Sequence, residues 1–287
     1  MKGNYNKPFE PMDIDYVNRS RTARELKGLV DELTEKKLIT TASGNLKYSN
    51  LNETMKYQYT LHPMRLWEYV RVFEICNLKQ GMTVLDGGGA SSPIVFYCGK
   101  KGINITTLDL QESLIENTKE VATKMGWDTI TTINRDMTKT GFPDSTFDAI
   151  FSISVFEHLP NKIKIEGIKE FARILKPNGI IGLTFDFGKS VNAKGSYEYN
   201  DYDQFHTPIR NIDEIYEYFI KPSGLKLYGN EDLINKINPD KRFIRKIIVA
   251  DFMEKKSLKK LISCTYYFFN SPYFHYTFYS IFLKKER

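Results

Sequence analysis

The stretch TVLDGGGASSP, residues 83–93, runs an apolar segment straight into an aspartate, three consecutive glycines and two serines. A glycine run at the end of a strand lets a ligand approach the backbone closely, because no Cβ stands in the way and positive φ is accessible. Two ligand classes use such a turn after the first strand of a doubly wound sheet. The dinucleotide fingerprint spaces its glycines G-x-G-x-x-G so that a pyrophosphate rests on a helix N-terminus. Here Gly87 and Gly89 are followed by Ser92, so the third glycine is missing, and Asp86 would repel a pyrophosphate. A cationic group would be welcome there. The ligand that fits carries an amine near Asp86, a carboxylate for backbone N–H groups, and a ribose within reach of Asp109 at the end of the next strand.

Outward from this turn, strand-like and helix-like segments alternate, the pattern of a parallel sheet covered by helices on both faces. Strands are predicted at 82–86, 104–109, 129–134, 147–152 and 179–186. Between them, ESLIENTKEVATKM brings Leu114, Ile115, Val121, Ala122 and Met125 onto one helical face, and NKIKIEGIKEFARIL does the same with Ile165, Ile168, Ala172 and Leu175. Pro177 is expected to stop the second helix, with Asn178-Gly179 turning the chain into the next strand. Asn211 followed by Glu214 reads as a helix start, and GLKLYGN as a sixth strand.

The flanks differ. Residues 1–60 are polar with one helix expected in SRTARELKGLVDELTEKKLI; a core follows over 61–230, opened by the helical stripe of HPMRLWEYVRVFEICNL. Residues 231–275 form a basic, aromatic insertion, and 276–287 a last strand returning to the sheet. The 287 residues suit one large α/β domain with additions. The N-terminus lacks the apolar stretch of a signal peptide and no segment reaches the length of a membrane span, so a cytoplasmic protein is expected. Cys76, Cys98 and Cys264 are odd in number and not spaced as metal ligands, which reads as reduced thiols with no metal. A net charge of +6 over this length makes no case for nucleic acid.

Four blocks in order carry a family resemblance. VLDGGGASS resembles the D-x-G-x-G-x-G loop, with Asp86 and Gly88 in register and Ala90 and Ser92 where glycine is frequent. TTLDL resembles the ribose-binding acid, Asp109. NRDMTKTGFPDSTFDAIFSISVFEHL resembles the block in which an aspartate, here Asp136, meets the adenine amine and Met137 packs on the ring. EFARILKPNGIIGLTFDF resembles the helix, Pro-Gly turn and fifth strand that follow. From Met82 to about Gly229 the chain thus resembles the class I, Rossmann-like S-adenosylmethionine-dependent methyltransferases. The resemblance implies an α/β doubly wound sheet of seven strands, the last antiparallel, with an N-terminal helical extension or lid (1–60) and an insertion before the last strand. It implies S-adenosylmethionine as cofactor, held by Asp86, Gly87, Gly88, Gly89, Asp109, Leu110, Asp136, Met137 and Ser152.

For the methyl acceptor, residues near the C-terminal ends of the strands matter most, since doubly wound sheets collect ligands there. His158 and His206, with Asp186 as helper acid, are the candidates for removing a proton near neutral pH. O-methylation of a small polar molecule, with a sugar or glycan precursor as the first guess, follows from the likeness of RLWEYV (65–70) to glycan-modifying members of the class. The rival readings are an RNA or protein methyltransferase and a non-catalytic cofactor-binding interaction protein. In the last, the basic segment 241–260 would dock on an anionic membrane surface or an acidic partner. The oligomeric state is not legible in the sequence.

Overall fold

The computed structural model describes residues 4–10, 12–41, 58–59, 61, 63–188, 209–230, 232–234 and 276–286. Its centre is a sheet in the order β1-β10-β8-β7-β4-β5-β6, with β9 paired to β10 as well. The strands are β1 (Lys7–Pro8), β4 (Thr83–Gly87), β5 (Asn104–Asp109), β6 (Ile130–Asn134), β7 (Phe147–Ile153), β8 (Leu175–Gly188), β9 (Lys226–Leu227) and β10 (Tyr276–Lys284). The strands β2 (Thr40–Thr41) and β3 (Gln58–Tyr59) form a separate parallel pair. From β6 through β8 every neighbour is parallel, and β10 runs antiparallel against β8 over nine residue pairs, Tyr276↔Gly188 to Lys284↔Ile180. The central residues of β4, β7 and β8 are buried and largely apolar, and the buried polar residues Asp86, Asp109, Ser152 and Thr184 lie toward the C-terminal ends of their strands.

The boundaries of the first five predicted strands fall within four residues of the observed ones, and those of 104–109 coincide with β5. The exception is the sixth, where only Lys226 and Leu227 of GLKLYGN pair with the sheet. The helix after β7, α6 (Asn161–Ile174), ends three residues before Pro177; β8 already begins at Leu175, and Asn178 takes positive φ in the irregular stretch before regular pairing resumes. Asn211 does start a helix, α7 (Ile212–Ile215): its side chain accepts from Glu214 N at 3.0 Å.

The N-terminal segment departs most from expectation. Besides the expected helix, present as α2 (Arg21–Glu35), it holds a further helix, α1 (Met12–Arg19), and the three short strands β1, β2 and β3. The reason lies in α4 (Pro93–Lys100), whose residues Pro93 to Gly99 are all buried. A helix apolar all round needs a second cover besides the sheet. Helix α2 supplies it with Leu26, Leu29 and Leu33, all fully buried, and Tyr97 of α4 donates to Glu25 Oε2 at 2.5 Å. Ser20 caps α2 through Ala23 N and donates to Glu74 Oε1 of α3 (Pro63–Ile75) at 2.8 Å, while Tyr16 also donates to Glu74. The described part of 1–60 is therefore a cladding layer.

The chain start is pinned by one buried side chain. Asn6 Oδ1 accepts from Phe282 N at 2.7 Å, its Nδ2 donates to the carbonyls of Tyr228 and Asn230, and its backbone exchanges two hydrogen bonds with the Asn230 side chain. Asn6 thus serves as sheet edge where β1 and β9 are too short to cover β10. Among the described residues no helix is long and apolar enough to cross a membrane. Asn6→Ala strands the Phe282 amide and the Tyr228 carbonyl, a cost of roughly 2–3 kcal/mol. Urea denaturation should show a lower midpoint at unchanged slope; an unchanged midpoint would mean that the clamp contributes nothing.

Candidate functional site

Asp86 closes β4 and is 1% exposed. Its Oδ2 accepts from Thr107 Oγ1 of β5 at 2.6 Å. Its Oδ1 has no well-formed hydrogen bond and faces the backbone of Gly89, which offsets the burial only slightly. Burial, opposed by the Thr107 hydrogen bond and reinforced by Asp109, pushes the carboxyl up from 3.8 to about 8. An orphaned buried carboxylate oxygen at the mouth of a glycine turn is a seat for a cation or a proton.

The three glycines are each required by the protein's own packing. A Cβ on Gly87 would stand 2.4 Å from the Phe171 ring, one on Gly89 would stand 2.5 Å from Asp86 Oδ1, and Gly88 combines φ +84° with a Val155 methyl 2.7 Å from the same point. The carbonyl of Gly87 accepts from Ser152 Oγ at 2.6 Å, so that the fully buried Ser152 hydroxyl is engaged in joining β7 to β4. Ser91, at φ +65°, donates its amide to Thr118 Oγ1 of α5 (Glu112–Met125) at 2.7 Å. Ser92, in the place of the third glycine, has a buried hydroxyl without a partner at the start of α4.

Asp109 closes β5 beside this turn. Its Oδ1 accepts from Gln111 N at 2.9 Å, and burial raises the carboxyl to about 6 against the pull of the Gln111, Ala90 and Leu110 amides. Leu110 beside it is 68% exposed, a large apolar side chain at the rim. Met137 packs between Gly88 and Gly167, and Asp136 Oδ1 is occupied by the amide and hydroxyl of Thr138. Asp86, the glycine turn, Asp109, Leu110 and Met137 thus share one end of the sheet.

Two of the three acceptor candidates, His158 and Asp186, lie among the described residues. His158 is exposed, on a single 3-10 turn (Phe156–His158) after β7, and His206 lies outside the described residues. Asp186, near the end of β8, donates its amide to Glu157 Oε1 at 3.3 Å. Glu157 turns inward from the same 3-10 turn and is 1% exposed, with Oε2 unpartnered. Burial, followed by the charge of Asp186, holds its carboxyl well above the usual range. Glu68 of α3, fully buried, accepts from Ser154 Oγ at 2.7 Å and Thr184 Oγ1 at 2.6 Å and forms an ion pair with Arg65 at 2.8 Å. Burial raises the Glu68 carboxyl, and Arg65 and the two hydroxyls oppose it. The Arg65 guanidinium stands over the Phe278 ring of β10. Sequence reasoning missed Glu157 and Arg65. The signal for Glu157 was a lone acid inside the apolar run SVFEHL, directly after a strand.

The family profile described as a methyltransferase domain matches residues 85–183, the span from the end of β4 to the middle of β8. The domain is similar to sterol 24-C-methyltransferase ERG6B of Gibberella zeae, 31% identical over 170 residues, covering 55% of this chain and 43% of that protein. A second relative, sterol 24-C-methyltransferase erg6 of Aspergillus fumigatus, is 32% identical over 168 residues, covering 56% and 44%. The chain therefore spans less than half the length of these curated relatives. Among solved structures, a Haemonchus contortus phosphoethanolamine N-methyltransferase 2 in complex with S-adenosyl-L-methionine superposes with a TM-score of 0.58 at 15% identity, covering 96% of this chain and 60% of that one. The [4+2]-cyclase SpnF does so with 0.57 at 16% identity, covering 91% and 93%. These likenesses establish the Rossmann-like methyltransferase fold, which the cyclase also has.

The raised carboxyl of Asp86 fixes the sign of a stability effect in the ligand-free methyltransferase domain. The folded state holds this proton more tightly than the unfolded chain, so the stability it contributes is fully present below about pH 4 and drains away as pH rises toward about 8. Asp86→Asn should shrink the loss of Tm between about pH 5 and about pH 9. An identical loss in both proteins would show that Asp86 is not the buried acid described.

Proposed function

We propose that the chain is an S-adenosylmethionine-dependent methyltransferase acting on a hydroxyl of a small polar acceptor, with a sugar or glycan precursor as the leading class, in the cytoplasm. The observation that carries the cofactor reading is the orphaned Asp86 oxygen at the glycine turn. Asp86 would take the α-ammonium, the turn amides the carboxylate, and Asp109 the ribose diol. Leu110, Asp136 and Met137 would line the adenine. When bound, the cofactor supplies an electrophilic methyl group on a sulfonium.

For the chain's own residues, the task is positioning in a site closed to water, since in-line displacement depends on alignment. The polar cluster of Arg65, Glu68, Ser154, Glu157, Thr184 and Asp186 stands at the C-terminal ends of β7 and β8, where substrate collects in such sheets. Its polarity supports a polar acceptor. His158 or His206, helped by Asp186, would remove the hydroxyl proton. A second reading, methylation of a sterol carbon, is favoured by the names of the relatives.

Asp86→Ala should weaken binding of S-adenosylmethionine and of S-adenosylhomocysteine about tenfold or more, since a charge-assisted hydrogen bond contributes roughly 1.5–3 kcal/mol. Calorimetry on a folded variant with unchanged affinity would remove Asp86 from the site. A transfer screen with labelled cofactor over sugars, nucleotide sugars, sterols, amines and RNA, read by mass spectrometry, tests the acceptor. Label on a hydroxyl oxygen of a small polar molecule is expected. Label on a sterol carbon would establish the second reading, and no label with intact cofactor binding would leave an interaction protein.

A further inference from the structure

Glu157 is almost wholly buried with Oε2 unpartnered; Glu68 Oε2 nearby also lacks a hydrogen bond but is answered by the Arg65 ion pair. The neighbours of Glu157 set the local field. Asp186 acts on it most strongly, Glu68 next in the same direction, and Arg65 opposes them both but less. Arg65 is already matched at 2.8 Å by Glu68. The buried Lys164 of α6 also feels Glu157, but its Nζ donates to Asn161 Oδ1 at 3.0 Å, stands over the Tyr218 ring and is influenced more by Glu214. Arg65 opposes the two acids only in part, and Glu157 Oε2 has no hydrogen-bond partner among the described residues, so the site favours a proton or a cation there.

A proton can meet that demand in the free protein, and a ligand cation can replace it. Among the described residues no group of three or more His, Cys, Asp or Glu side chains is placed to hold a metal ion, and His158, the next residue, is exposed. An organic cation that donates a hydrogen bond to one oxygen fits better than a metal, which needs several ligands.

We propose that Glu157, with Asp186 and Glu68 beside it, seats a protonated amine carried by the methyl acceptor, which makes an amino sugar or another amino alcohol the substrate class. This rests on the methyltransferase reading for the word acceptor, not for the seat. The amine donates to Glu157 Oε2, and the proton that Glu157 held leaves to solvent. Placement beside Val155, which touches the glycine turn, brings the bound molecule next to the cofactor loop.

The test is titration of ethanolamine, and of its uncharged isostere ethylene glycol, into the full chain saturated with S-adenosylhomocysteine. Ethanolamine should bind about tenfold more tightly than ethylene glycol or better, with a heat that depends on the buffer because a proton is released. Glu157→Gln should abolish the preference while S-adenosylhomocysteine affinity stays as in the wild type, and Glu157→Asp should restore part of it. A Glu157 with a purely structural role would leave the preference and the proton release untouched. Equal affinities, no ethanolamine binding, a preference that survives in Glu157→Gln, or displacement of ethanolamine by Mg2+ would overturn the seat. If Glu157→Gln does not fold, the wild type decides: ethanolamine affinity should rise with pH as the Glu157 proton becomes easier to displace, and a flat profile overturns the proposal. If S-adenosylhomocysteine itself does not bind, the cofactor reading falls, and the same titration on the ligand-free chain still decides the seat.

Discussion

A carboxylate buried at the end of the central strand is the constraint around which this molecule is arranged. Asp86 is denied solvent by Gly89 on one side and steadied by Thr107 on the other, and one of its oxygens has nothing adequate to bond. Leaving a polar atom so costs free energy of the order of 1–3 kcal/mol unless a proton or a ligand answers it. The glycines follow from that placement. Gly89 must lack a Cβ for the carboxylate to lie where it does, and Gly88 must turn with positive φ so that the loop clears Val155 on its way to α4. A site of this kind is expensive in stability and is kept where the ligand repays it.

The surrounding layers hold that turn in place. Helix α4 leaves the turn and is apolar on every side, so it cannot stand at the surface; α2 covers it, and α1 and α2 are in turn tied to α3 through Glu74. The same α3 carries Arg65 and Glu68 to the ends of β7 and β8, where Ser154 and Thr184 lock Glu68. One helix therefore connects the cladding layer to the acceptor side. Tyr69, next to Glu68 on that helix, feels both Arg65 and Asp86, which places it between the two charged centres.

Much of this could be read from residue order. The parallel strands were legible because they are short apolar runs ended by turn residues, and Asp86 and Asp109 because an acid at the end of such a run has few reasons to be there. The rest escaped for physical reasons. Helix periodicity reports one buried face, so α4, with none exposed, carried no phase from which a covering helix could be inferred. The 3-10 turn after β7 directs Glu157 inward and His158 outward, and a three-residue turn has no period to read; the more familiar proton carrier was singled out and its neighbour was not. Lys164 is buried in α6 because Asn161, one turn earlier, and the Tyr218 ring, distant in sequence, receive its ammonium. The sequence could not show that the glycine run also serves the protein's own packing, with Phe171, Val155 and Asp86 close to where Cβ atoms would stand.

The central claim is that Asp86 holds a proton until a cation takes its place, and carbon-13 NMR of labelled aspartate side chains measures this directly. In the ligand-free chain the Asp86 carboxyl should titrate at about 8, and with S-adenosylhomocysteine bound it should stay ionised to well below that. A carboxyl that titrates in the ordinary aspartate range in the free chain, or that does not move when S-adenosylhomocysteine binds, would contradict the account.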